Sequence, residues 1–209
     1  MIIEHLVVGM LQTNCYIIAD EKSGEAMVID PGGEAKRIHN FLASRSLKLK
    51  AILLTHGHFD HVLDAWNLKK LSGSEIYIHP LDEPLLHNRM VGLGAFLMGK
   101  AATLDLSPDK YIKEGDILTL GNTDIHVLET PGHTPGHVSF YVPSKRLIFV
   151  GDTLFDGSIG RTDFPGGSYE QLINSVKTKI FPLGDDIVVY PGHGPTTTVG
   201  KERRTNPFF

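Results

Sequence analysis

Apolar and polar positions along the chain change period several times, and each change marks an element. Short β-rich runs predict strands near residues 2–8, 14–19 and 26–30, with the turn residues Glu21-Lys22-Ser23-Gly24 between the second and third. Ala35, Ile38, Phe41 and Leu42 then recur at helical spacing, which predicts a helix over residues 34–45. A strand at 50–54 is followed by a helix beginning near His61, with Val62, Ala65, Trp66 and Leu68 on one side, then by a strand at 75–78 and a helix-prone stretch at 81–88. The second half predicts strands near 116–120, 124–129, 137–142, 146–150 and 187–190, and one helix at about 168–180. Strand, helix and hairpin-like pairs in this order describe an α/β protein in which helices cover mixed sheets.

One stretch fits neither period. Val91-Gly92-Leu93-Gly94-Ala95-Phe96-Leu97-Met98-Gly99 is apolar and punctuated by glycine. It reads as a buried connection or dimer contact, or as a mobile apolar wall of a substrate pocket.

Composition changes this picture little. A chain of 209 residues with 41% hydrophobic and 21% charged residues buries one sizeable core as an ordinary globular domain, so residues 1–209 are expected to form a single domain. The formal charge of −4 is spread along the chain, and the basic cluster Lys201-Glu202-Arg203-Arg204 is too short to suggest a nucleic-acid partner. Cys15 is the only cysteine, which excludes an intrachain disulfide and fits a small buried hydrophobe better than a reactive thiol. Glu4 and His5 interrupt the apolar start, which reads as a first strand and not as a leader. No apolar run approaches the ~20 residues that span a bilayer, so no membrane partner is expected and the cytoplasm is the default location.

The chemistry is concentrated at strand ends. Thr55-His56-Gly57-His58-Phe59-Asp60-His61 crowds three imidazoles and a carboxylate behind the apolar run that ends at Leu54. Imidazole nitrogen and carboxylate oxygen suit zinc, iron or manganese. The plain alternative, a histidine-rich surface loop, does not account for the regular spacing. His133 follows Thr130-Pro131-Gly132, Asp152 follows Leu147-Ile148-Phe149-Val150-Gly151, and His193 follows Tyr190-Pro191-Gly192. Donors placed at several strand ends are how an open sheet assembles one site from distant parts of a chain.

These motifs together resemble the metallo-β-lactamase fold superfamily, whose pattern is Thr-His-x-His-x-Asp-His, a later His, an Asp and a last His. The resemblance implies a four-layer αββα sandwich of two mixed sheets flanked by helices. It also implies two divalent metal ions, zinc first, with iron or manganese also compatible. Carried over by position, His56, His58 and His133 hold one ion, Asp60, His61 and His193 hold the other, and Asp152 bridges them. Asp30 in Ile29-Asp30-Pro31-Gly32 is placed to receive a ligand's second N–H, and His137 is a support or structural residue more than a ligand.

Within the superfamily, Thr130-Pro131-Gly132-His133-Thr134-Pro135-Gly136-His137, Gly151-Asp152-Thr153-Leu154-Phe155, Gly160-Arg161-Thr162-Asp163-Phe164 and Glu202-Arg203-Arg204-Thr205-Asn206-Pro207-Phe208 resemble short glyoxalase II-like hydrolases. That likeness implies thioester hydrolysis, with a hydroxyacylglutathione such as S-lactoylglutathione as the type substrate and a metal-bridging hydroxide, oriented by Asp60, as nucleophile. Only residues 194–209 follow the last histidine, so the helical glutathione-binding domain of full-length glyoxalase II enzymes is not expected. The ions outweigh the two aspartates and one hydroxide, and a net positive cavity favours an anionic small-molecule substrate. Arg161, and less firmly Arg203 and Arg204, are the candidate substrate-binding cations. A thiolate leaves without a proton donor, whereas an amine usually needs one, and no residue stands out as a general acid. Persulfide dioxygenases share the fold and most motifs but use a single iron to oxidise glutathione persulfide, and they form the alternative reading. A non-enzymatic scaffold is a third, set against the retention of every donor.

Overall fold

The computed structural model describes residues 1–87 and 107–209. The apolar segment at 91–99 lies outside them. The backbone groups into two compact units, Met1–Ile112 with Leu120–Asn122, and Lys113–Thr119 with Thr123–Phe209.

The first unit is built on a six-stranded sheet in the order β1 (Ile2–Val8), β2 (Thr13–Ala19), β3 (Glu25–Ile29), β4 (Lys48–Leu53), β5 (Glu75–Ile78) and β6 (Lys110–Tyr111). β1, β2 and β3 pair antiparallel, and β3, β4, β5 and β6 pair parallel, so the sheet is mixed. Parallel neighbours require crossovers. The first is helix α1 (Ala35–Ser44), whose Ile38 and Leu42 pack into a core with Val28, Ile52, Leu54, Ile76 and Ile78. All seven positions of β2 are buried, which explains why it reads as a continuous apolar run and not as an alternating one.

Because β3 and β4 are parallel and their last residues, Ile29 and Leu53, are paired, both strands leave the sheet at the same end. Asp30 and the histidine motif therefore emerge side by side. The helix expected near His61 is divided. A single turn, α2 (Phe59–Val62), carries the donors, and α3 (Ala65–Ser72) begins anew. Asp64 makes the break, its carboxylate accepting Ala35 N at 3.0 Å and Asn67 Nδ2 at 2.7 Å. A side chain engaged with one distant backbone N–H and one nearby side-chain amide fixes the chain direction there. Across the stretch expected to be helical at 81–88, the described residues form a 3₁₀ turn, Pro80–Asp82, and a short helix α4 (Glu83–Leu86).

The second unit holds another six-stranded sheet, ordered β14 (Thr197–Thr198), β13 (Val188–Pro191), β10 (Leu147–Gly151), β9 (Val138–Val142), β8 (Thr123–Glu129) and β7 (Ile117–Leu120). β10 and β13 are parallel, whereas β9 pairs antiparallel with both β8 and β10. β11 (Leu154–Phe155) and β12 (Ser158–Ile159) form a separate small hairpin. The helix expected at 168–180 is α5 (Tyr169–Ser175), N-capped by Ser168 and continued by a π turn over Val176–Ile180. Leu172, Val176 and Ile180 pack with Ile148, Val150 and Val189, and α6 (Val199–Thr205) adds Val199 to the same core. β6, β11, β12, β14 and α6 carry no periodic signal, being two residues long or, for α6, mostly polar. No helix among the described residues is long and apolar enough to cross a membrane.

Candidate metal centre

In the first unit the donors are gathered by one turn and steadied by one carboxylate. Asp30 sits at positive φ, 51°, a conformation aspartate tolerates better than most residues. Its Oδ1 accepts Thr55 N at 2.8 Å, and its Oδ2 accepts Thr55 Oγ1 at 2.6 Å and lies 2.9 Å from His61 Nδ1. A carboxylate accepts, so His61 carries its proton on Nδ1 and turns the Nε2 lone pair away. Thr55 donates its only hydroxyl proton to Asp30, so the contact of its oxygen with His56 Nδ1 at 3.0 Å is donated by the imidazole. His56 thus has the same tautomer, and both Nε2 atoms are left as metal-type donors.

The imidazoles crowd one another, His56 and His61 with centroids 4.2 Å apart and His56 and His58 4.8 Å apart. Asp30, His56 and His61 offer atoms within 4.8 Å of one another, but with three donors on its two oxygens Asp30 serves as a support and not a ligand. Asp60 Oδ2 stands 3.6 Å from His61 Nε2 and accepts Thr13 Oγ1 at 3.2 Å. A Cβ on Gly32 would lie 1.5 Å from the Asp60 carbonyl oxygen, so the Pro31-Gly32 backbone approaches the ligand turn as only glycine permits. Gly57 is held from the other side, its N–H donating to the buried Asp82 carboxylate at 2.9 Å.

In the second unit His133 lies in the loop between β8 and β9, Asp152 leaves β10 and His193 leaves β13. The bond from Gly192 N to Gly151 O, 2.7 Å, ties the two parallel strand ends together. Asp152 Oδ2 lies 3.6 Å from His133 Nε2 and 3.7 Å from His193 Nε2. These separations are too long for hydrogen bonds. They match donors that share a cation, since two atoms ~2.1 Å from a tetrahedral ion stand about 3.4 Å apart. His133 Nδ1 faces the Arg161 carbonyl oxygen at 2.7 Å, which can only accept, so its Nε2 is again the metal-type donor.

His137 is oriented differently. Its Nε2 accepts the Asp152 N–H at 3.1 Å, and its Nδ1 lies 3.0 Å from Thr130 Oγ1 and 3.1 Å from Thr153 Oγ1. It anchors the backbone of Asp152 and spends its lone pair doing so. The Arg161 guanidinium pairs with Asp163 at 2.8 Å and stacks 4.2 Å above the Phe164 ring, with 64% of the side chain exposed. The Asp163 carboxylate raises the Arg161 pKa, and the guanidinium holds Asp163 below the usual carboxylate range. Arg203 and Arg204 both pair with Asp185, and Arg203 also donates to the Phe181 carbonyl, so the two pin the C-terminal helix to its own unit.

The sequence reading missed the threonines. Thr13, Thr55, Thr130 and Thr153 are buried and each contacts a donor or a donor's support. Thr55, Thr130 and Thr153 lie within the quoted motifs, and two of them, Thr55 and Thr153, directly adjoin a candidate ligand. The donor set is one that binds divalent transition metals, with neutral imidazoles oriented by neighbours and carboxylates within reach.

The sequence pattern of the metallo-beta-lactamase superfamily matches residues 8–193. The chain is 44% identical to hydroxyacylglutathione hydrolase GloC of Haemophilus influenzae, an alignment that spans 100% of this chain and 98% of that protein. Among solved structures it is similar to the BLEG-1 B3 metallo-beta-lactamase, with 36% identity, a TM-score of 0.90 and 99% of each chain covered. It is also similar to TTHA1623 in a di-iron-bound form, with 39% identity, a TM-score of 0.86 and coverage of 99% and 100%. ETHE1 from Myxococcus xanthus is more distant at 28% identity, a TM-score of 0.81 and coverage of 99% and 84%. Two mixed sheets with flanking helices, His and Asp donors at their strand ends and a match over most of the sequence place this chain in the metallo-β-lactamase superfamily.

Proposed function

We propose that this protein is a metal-dependent hydrolase of a thioester, with a hydroxyacylglutathione such as S-lactoylglutathione as its type of substrate. The observation that carries the reading is the end-to-end 44% identity with a protein named hydroxyacylglutathione hydrolase. The proposed ligand scheme is that of the superfamily: His56, His58 and His133 for one ion, Asp60, His61 and His193 for the second, and Asp152 to both. Zinc suits the donors, and the di-iron form of a relative keeps iron in view alongside manganese. Bound divalent ions supply a hydroxide nucleophile at neutral pH and polarise the acyl oxygen.

The chain's own residues do the rest. Asp30 and Thr55 set the tautomers of His61 and His56, the Arg161 carbonyl sets that of His133, and Asp60, steadied by Thr13, orients the attacking oxygen. Arg161 offers an exposed cation to an anionic substrate. The departing thiol has a pKa of ~8.5 and leaves as thiolate, so no general acid is required.

A substrate panel run with and without oxygen, coupled to metal analysis, tests the reading. Expected are two metals per chain, thioester turnover that is independent of oxygen, and a fall of ~10–100-fold in His193→Ala, the scale at which even outer supports of a metal site act. Oxygen consumption with glutathione persulfide, one metal per chain and no thioester cleavage would replace it with the mononuclear iron dioxygenase reading. Faster cleavage of a β-lactam than of any thioester would replace it with that of the lactamase relative.

A further inference from the structure

The C-terminal run Glu202-Arg203-Arg204-Thr205-Asn206 has no role in the chemistry above, yet it contains a fully buried carboxylate. Glu202 has 0% exposure and lies on a helix of only seven residues. Its Oε2 accepts Gly157 N at 2.9 Å and Asn206 Nδ2 at 2.9 Å, and its Oε1 accepts the Thr197 hydroxyl. Asn206 Nδ2 also donates to the Ser158 carbonyl at 3.0 Å, and Lys201 pairs with Asp156. The helix and its C-cap residue Asn206 thus grip three consecutive residues, Asp156 and Gly157 in the turn of the β11–β12 hairpin and Ser158 at the start of β12.

That hairpin connects two parts of the candidate centre. It begins two residues after Asp152 and ends two residues before Arg161, with Leu154 paired to Ile159 and Phe155 to Ser158. At its far end a Cβ on Gly160 would lie 1.7 Å from the Asp152 carbonyl oxygen and 3.2 Å from His133 Nδ1. The next residue accepts the His133 Nδ1 proton at 2.7 Å. Any movement of the hairpin therefore shifts the backbone behind Asp152 and the carbonyl that sets the tautomer of His133. Its tip is held by side chains from a helix nearly fifty residues away in sequence.

We infer that Glu202 and Asn206 are positioning residues for the metal centre, acting through the β11–β12 hairpin to fix Asp152 and the Arg161 carbonyl that orients His133. This rests on the reading of Asp152 and His133 as ligands. Glu202 accepts from three donors and offers none, so Glu202→Ala removes the acceptor of the Gly157 N–H, of the buried Thr197 hydroxyl and of one of the two N–H groups of Asn206. Glu202→Gln keeps its carbonyl toward Gly157 and Asn206, and the Thr197 hydroxyl can rotate to accept from the new amide.

Full-length zinc-loaded protein labelled with ¹⁵N-histidine provides the test, read by the exchange rate of the His133 Nδ1 proton and by zinc affinity in competition with a chelator. Ile180→Ala, a cavity in the same core, is the control for general loosening. Glu202→Ala should speed the proton exchange at least tenfold and weaken zinc binding by ~10–100-fold, with Glu202→Gln and Ile180→Ala staying near wild type. If Glu202→Ala does not fold, Asn206→Ala, which loses the Ser158 contact, should move both quantities in the same direction by about threefold to tenfold. Unchanged exchange and affinity in the alanine variants, or equal losses in Ile180→Ala, would overturn the assignment. A His133→Ala protein with full zinc content would instead remove the ligand reading, while the exchange result would still report whether the hairpin is clamped.

Discussion

The Asp30 carboxylate accepts the Nδ1 proton of His61 at 2.9 Å, and through the Thr55 hydroxyl it governs His56 as well. One residue at the end of β3 thereby fixes the proton positions of two imidazoles in the motif that follows β4. Replacing it with asparagine keeps an acceptor for Thr55 N but places an NH₂ group against the imidazole. His61 then has reason to move its proton to Nε2, where it would oppose a cation. Asp30→Asn should weaken metal binding by ~10–100-fold, with a smaller effect on the thermal midpoint of the metal-free protein. Chelator competition and thermal denaturation separate the two, and wild-type affinity in the variant would deny Asp30 this control.

Much of this arrangement was legible in the sequence because candidate metal donors are chemically unusual and clustered. Three imidazoles and a carboxylate at positions 56, 58, 60 and 61 fall at the end of a buried strand, and β-rich runs announce the strands that deliver Asp152 and His193. The supports were less visible because their roles depend on contacts between distant segments. Thr55 and Thr153 look like ordinary strand-end residues until their partners are known. Arg161 was chosen for its side chain, yet its carbonyl is what touches His133. Glu202 carried a local clue, an acid three residues after Val199 on the buried side of a helix, but the partner that links it to the hairpin, Gly157, lies 45 residues away. The continuous helix expected near His61 failed for a similar reason, since Asp64 is committed to Ala35 and Asn67.

Gly32 supplies a steric prediction. With the Asp60 carbonyl oxygen 1.5 Å from where a Cβ would stand, Gly32→Ala must displace the backbone of the ligand turn. A loss of ~1–3 kcal/mol in urea unfolding is expected, the scale of overpacking a tight contact, together with reduced metal content. Neither change would be seen if the loop simply swung outward without coupling to Asp60.

Cys15 should be inert in the folded protein. It is 0% exposed in β2, and burial, aided by the nearby Asp30 charge, pushes its thiol pKa well above the ordinary value. The thiolate is the reactive form, so both access and ionisation oppose modification. Labelling by an aromatic disulfide reagent should proceed only as fast as the chain opens and should accelerate sharply through the urea transition. Rapid labelling of the native protein would show that β2 is exposed by local opening.

The backbone and side chain of Arg161 should separate experimentally. Its carbonyl orients His133, whereas its guanidinium pairs with Asp163 in the open, both side chains being about two-thirds exposed at 64% and 66%. An exposed pair of this kind is screened by water and contributes little, so removing it leaves the fold intact. Arg161→Ala retains the carbonyl and should therefore keep wild-type metal content. If the guanidinium meets an anionic thioester at the edge of the site, that contact is uniform binding, and its loss raises KM while kcat changes little. The charge reversal Arg161→Glu should raise KM further for an anionic substrate and leave KM for a neutral thioester unaltered. A fall in kcat together with metal content would mean that the side chain, and not only the carbonyl, holds His133 in place. Unchanged KM in both variants would leave Arg161 as a surface cation paired with Asp163.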